Sequence, residues 1–201
     1  MERKGSTMSK PERILYEMEI TQAYNALREG KLILIPTDAL WCLAASIEFP
    51  ETLKRLKSHS AHADEEIEVL FPDIPSLKNA VDHLHPRLET LLLYHTRPLA
   101  ILFDEPPGLP ANLQRPDGSM ALRVTLDTFV RELTHTLNTA IAVLPVQDNA
   151  KGTPAHFGSI SSGVIQAVDY VVRYRQNDRN MGEIPVLVRL GTDEELEFIR
   201  E

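Results

Sequence analysis

The chain has 201 residues, enough for one substantial domain and short for two. Hydrophobic residues make up 43% and charged residues 25%, as in ordinary globular domains, and no apolar run approaches the ~20 residues that span a bilayer. A net charge of −8 weighs against a polyanionic partner, and the one cysteine, Cys42, excludes an intramolecular disulfide, so a cytoplasmic protein without a membrane partner is expected.

Residues 1–13 lack apolar periodicity and read as a flexible leader, with a single domain expected over 14–201. Ile20, Ala23, Tyr24 and Leu27 recur at helical spacing, and Gly30 stops that helix. Leu32–Ile35, bounded by Gly30 and Pro36, predicts a buried strand, and Leu40–Ala45 a second one. Pro50 opens a helix to about Lys57. Ile67–Phe71 predicts a strand; Leu77, Ala80, Val81 and Leu84 mark a helical face, and Leu88–Leu93 another. Pro98–Phe103 and Ala121–Val124 read as strands around a Pro-rich loop from Glu105 to Pro116.

Asp127 is placed to cap a helix through Leu137. Then come a strand at Ala140–Val146, a helix at Ile160–Ala167, strands at Tyr170–Arg173 and Val186–Leu190, and a short acidic helix at Asp193–Arg200. Such alternation predicts an α/β protein, a three-layer sandwich with a mixed twisted sheet.

Thr37 and Asp38 put a hydroxyl and a carboxylate at the carboxyl end of the first strand, where open α/β sheets hold ligands. The same pair also makes ordinary turns. His59 and His62, followed by Asp64, Glu65 and Glu66, have metal-ligand chemistry but neither helical i, i+4 geometry nor a defined third ligand. A solvated polar loop is the expectation there, and no metal. Ser159, Ser161 and Ser162 lie near glycines without forming a nucleophile elbow, so they read as caps. Cys42 has no adjacent base. Tyr170, Arg173, Tyr174, Arg175 and Arg179 form a basic-aromatic stretch; along a strand it would put Arg173 and Arg175 on one face, either touching RNA phosphates or protecting an edge.

Residues 36–43, Pro-Thr-Asp-Ala-Leu-Trp-Cys-Leu, resemble the Pro-Thr-Asp-Thr-Val-Tyr-Gly-Leu signature of the YrdC-like family, whose best-known members make threonylcarbamoyl-AMP for tRNA modification. The resemblance runs from about Ile20 to Leu190 and implies a YrdC-like fold. Pro36, Thr37, Asp38 and Leu43 match; Ala39, Trp41 and Cys42 stand where the family has a hydroxyl residue, Tyr and Gly. Trp41 either walls a pocket or, with Cys42, belongs to the core. Of the family's Lys-x-Arg element, Lys57 remains and His59 replaces the Arg, with acidic residues where a second Lys is usual. Arg123 matches the Arg of the Val-Arg-Val-Pro element, as a retained anion contact or a structural ion-pair former. Asn149 and Gly152 echo the Ser-x-Asn-x-Ser-Gly element without its serines.

The resemblance therefore implies ligand contacts at Thr37, Asp38, Lys57, Arg123 and Asn149, and an altered phosphate site at His59 and His62. The expected function is a divergent member that binds a small molecule, a nucleotide or another protein through the central cavity, without full synthase activity. The alternative is a working synthase using ATP, threonine and bicarbonate; Mg²⁺ and ATP are implied only in that case. RNA binding is disfavoured by the charge and would use Arg173, Arg175 and Arg179.

Overall fold

In the computed structural model, residues 8–60, 62–147, 152–154, 156–178 and 183–201 are described, apart from the side chains of Asp64 and Glu65. The first helix, α1 (Lys10–Arg28), begins inside the segment expected as leader. A capping box accounts for the difference: the Ser9 hydroxyl accepts from the Glu12 N–H, and the Glu12 carboxylate accepts from the Ser9 N–H at 2.8 Å. With Pro11 in the first turn, Ser-Lys-Pro-Glu is a start signal legible without any apolar stripe.

Gly30 ends that helix in the left-handed region (φ +69°) and sends the chain into β1 (Ile33–Pro36). A Cβ there would meet the Phe49 ring at 2.6 Å. Gly30→Ala is therefore expected to cost about 2 kcal/mol, combining left-handed strain with a ring that must shift. Urea denaturation checks this, and an unchanged midpoint would refute it.

β1 pairs antiparallel with β2 (Trp41–Ser46). There follow α2 (Pro50–Lys57), α3 (Ala63–Glu66), β3 (Glu68–Phe71), α4 (Ile74–Lys78), α5 (Pro86–Tyr94), β4 (Leu99–Asp104) and β5 (Ser119–Val124). The chain continues through α6 (Thr128–Leu137), β6 (Ile141–Pro145), α7 (Ser162–Ala167), β7 (Tyr170–Val171), β8 (Val186–Leu190) and β9 (Leu196–Arg200). Among the described residues the strands form one mixed nine-stranded sheet in the order β7-β1-β2-β6-β3-β5-β4-β8-β9. Parallel pairs are β7/β1, β3/β5 and β4/β8; the others are antiparallel.

Helices cover both faces, so the three layers are α/β/α. On one face Leu34, Trp41, Leu43, Val69 and Leu122 pack against Leu53 and Leu56 of α2 and Leu88 and Leu92 of α5. On the other, Ile33, Ile35, Ala44 and Leu70 pack against Ile20 and Leu27 of α1 and Phe129 and Leu133 of α6. Burial from both sides is why β1 and β2 read as unbroken apolar runs rather than alternating ones.

Three element readings need correction. The face at Leu77–Leu84 is helical only through Lys78; Ala80, Val81 and Leu84 reach the core from the turn that follows. β7 stops at Val171, which leaves Arg173 and Arg175 off the strand, and Arg175 turns the chain at φ +64°. The acidic segment at Asp193–Arg200 is no helix: Gly191 donates to the Glu195 carbonyl at 2.8 Å, and Leu196–Arg200 returns as β9 along β8. Pairing with an open sheet edge overrides the helix propensity of a Glu-rich run.

Candidate functional site

The β1–β2 hairpin turns through Thr37-Asp38-Ala39-Leu40, at the carboxyl end of β1. The fully buried Thr37 hydroxyl donates to the Leu40 carbonyl at 2.7 Å and accepts from the Ala39 and Leu40 N–H groups at 3.1 Å each. Its hydrogen-bonding capacity is spent on closing the turn. Asp38 leaves the hairpin toward the ends of β5, where its carboxylate accepts from the Leu126 N–H (3.0 Å), the Thr125 hydroxyl (3.3 Å) and Arg123 Nη1.

Arg123, on β5, is 1% exposed. Its Nε donates to Glu68 Oε2 at 2.7 Å, beside the Nη1 bond to Asp38. Glu68 sits across the parallel β3/β5 pair, and its other oxygen accepts from Arg200 Nη2 of β9 at 3.1 Å. The result is a chain of charges, Asp38–Arg123–Glu68–Arg200, buried as far as Glu68 and half-exposed at Arg200. Burial opposes ionisation of Asp38, but the Arg123 guanidinium and the Leu126 N–H outweigh it and hold the carboxyl below the usual carboxylate range. Burial also disfavours a charged Arg123, and Asp38 and Glu68 more than compensate, raising its pKa further.

A second arginine grips the hairpin from outside. Arg175 Nη1 donates to the Thr37 carbonyl at 3.2 Å and to Asp127 Oδ2 at 2.5 Å, while its Nε binds Asp178 at 2.7 Å. Asp127 also caps α6 as expected, accepting from the Val130 N–H at 2.9 Å. Arg173 lies 3.6 Å from the buried Glu19. Both described arginines of the basic-aromatic stretch thus face carboxylates, and Tyr174 packs on Phe129 and Tyr16 in an aromatic cluster. Arg179 lies outside the described residues, as does Asn149.

Lys57, half buried, is the last residue of α2. Burial and then the neighbouring Arg55 push the His59 imidazole below its ordinary value, leaving it uncharged at neutral pH and a poor phosphate ligand. His62 precedes α3, exposed, and its N–H binds the Ser60 hydroxyl at 3.1 Å. Trp41 and Cys42 are each 1% exposed and belong to the two opposite core clusters. Trp41 packs on Phe157 with ring centres 5.0 Å apart, and burial pushes the Cys42 thiol up to about 12, so it is no nucleophile at pH 7.

Five concavities on the described residues have walls that include neither Thr37, Asp38, Lys57 nor Arg123. One of about 660 Å³, lined by His156, Gly158, Gln176, Asn177 and Asp178, adjoins Arg175, which donates to the Thr37 carbonyl. Of the residues singled out in the sequence, the structure brings Asp38 and Arg123 into contact; Glu68 and Arg200, which extend that pair, were not singled out. Glu68 had a signal: a lone carboxylate inside the apolar run Ile67–Phe71 must find a cation if that run is buried.

A family model named Sua5_yciO_yrdC, described as telomere recombination, matches residues 25–201. The chain belongs to this family. Its fold is similar to P. abyssi Sua5 complexed with L-threonine, at 18% identity and a TM-score of 0.76, covering 92% of this chain and 54% of that one. E. coli YciO is 17% identical with a TM-score of 0.77, covering 94% and 89%. Full-length HypF in a phosphate- and nucleotide-bound form is 16% identical with a TM-score of 0.75, covering 90% and 28%. The chain thus spans about half the length of Sua5 and nearly all of YciO. No curated protein matches it by sequence. Identities this low establish the fold of the Sua5/YciO/YrdC domain and leave its chemistry to the site. Among the described residues no helix is long and apolar enough to cross a membrane.

Proposed function

We propose that this domain binds a small molecule and does not make threonylcarbamoyl-AMP. The observation that carries the reading is the commitment of Arg123 to two internal carboxylates, Asp38 and Glu68. A synthase must neutralise a triphosphate and the charge that develops at its α-phosphorus. Here the family's strand arginine is already neutralised from within, His59 is an uncharged substitute for an arginine, and Trp41 fills core space. The ligand is placed in the concavity bounded by His156 and Gln176–Asp178, whose imidazole and amides suit hydrogen-bonding groups better than a polyanion.

Pyrophosphate release from ATP by the purified chain, with threonine, bicarbonate and Mg²⁺ and an active family member as control, tests the catalytic half. Release at the no-threonine background is expected. Threonine-dependent release would overturn the reading and restore the synthase, with Lys57 and Thr37 retained and other groups replacing the missing phosphate ligands.

A further inference from the structure

A separate cavity of about 580 Å³ lies between α4, α5 and the start of α6. It sits at the carboxyl ends of the parallel neighbours β3 and β5, with Pro72 and Val124–Leu126 in its wall. Open α/β sheets hold ligands at such edges, and the volume falls within the usual range for small-molecule sites. Much of its wall is apolar, including Ile74, Leu92, Leu93 and Val124.

Its charged groups cancel. Lys78 pairs with Glu89 at 2.6 Å. Asp73 caps α4 by accepting from the Ser76 N–H at 2.7 Å, and Arg131 donates to the Leu126 carbonyl at 3.4 Å. Two acids and two bases leave no net charge to recruit an ion.

His95 supplies the polar feature that is not spoken for. Its Nδ1 lies 2.7 Å from the Leu92 carbonyl, which can only accept, so Nδ1 carries the proton. In the neutral ring Nε2 is then a bare acceptor, on the ring edge turned away from that carbonyl. It is buried and has no hydrogen-bond partner among the described residues. An unpaired buried acceptor costs about 1–3 kcal/mol, which a ligand with one N–H or O–H recovers. Nε2 is closed off from water, so the proposed contact requires that it be uncovered when the ligand binds.

We propose that this cavity binds a small, uncharged, largely apolar molecule carrying a single hydrogen-bond donor, seated on Leu92, Leu93 and Val124 with its donor on His95 Nε2. The site is distinct from the one proposed above, and neither depends on the other.

Indole and benzofuran are near-isosteric probes, and only indole has an N–H. Each is titrated into the ¹⁵N-labelled full chain while amide shifts are followed. Indole is expected to shift residues 92–95 and 124–126 saturably, and benzofuran to bind about fivefold more weakly, as one net hydrogen bond allows. In His95→Phe that preference disappears, and in Leu93→Trp, at an exposed wall position that should tolerate the ring, both probes lose binding. Amide dispersion verifies that each variant is folded. No saturable shift at these residues, or equal affinity of the native protein for the two probes, would overturn the proposal.

Discussion

Replacing Arg123 by methionine is expected to lower unfolding free energy at neutral pH by about 3–5 kcal/mol, the usual cost of stranding a buried charge. Methionine fills much of the arginine's space, so the loss is electrostatic: Asp38 and Glu68 remain buried without their shared cation. The penalty depends on pH with a definite sign. In the native protein Asp38 titrates below its unfolded value, so its pairing contributes stability above ~pH 4 and loses it as pH falls through the folded value. The gap between native protein and variant is therefore widest near pH 7 and narrows below ~4. Urea denaturation across that range measures it. A loss under ~1 kcal/mol at pH 7 would mean that the guanidinium is free for a ligand after all.

Trp41→Ala is expected to cost a similar ~3–5 kcal/mol, for a different reason. The indole is 1% exposed within the cluster that includes Leu53, Leu56 and Phe71, and its removal leaves a cavity that this close-packed layer cannot collapse to fill. Trp41→Tyr, which restores the residue type usual in the family, keeps most of the ring and should cost under ~1.5 kcal/mol. Guanidinium denaturation followed by circular dichroism compares the two. A small loss for the alanine variant would place Trp41 on a loosely packed wall, where the family's ligand could still enter.

Much of the architecture was legible in the sequence because its cues are local. Pro36, Pro50 and Gly30 punctuate elements within a few residues, and Asp127 caps α6 through its own first turn. What failed was nonlocal. Nothing in Gly-Thr-Asp-Glu-Glu-Leu announces that β8 offers an unpaired edge on which β9 can form. The site shows the same division. Thr37, Asp38 and Arg123 were located by their motif, but whether an arginine faces a ligand or a carboxylate depends on what lies across the sheet. Glu68 is 55 residues away in the chain, and Arg200 a further 77 beyond Arg123.

That separation bears on how the protein is made. At a translation rate of ~5–20 residues per second, Glu68 leaves the ribosome roughly ten seconds before Arg200. During the interval β3 carries a carboxylate whose second cation does not yet exist, and burying it early is unfavourable. Arg123 emerges first, however, and pairs with Glu68, so the sheet's centre is expected to begin to close around that pair and to be completed when β9 brings Arg200.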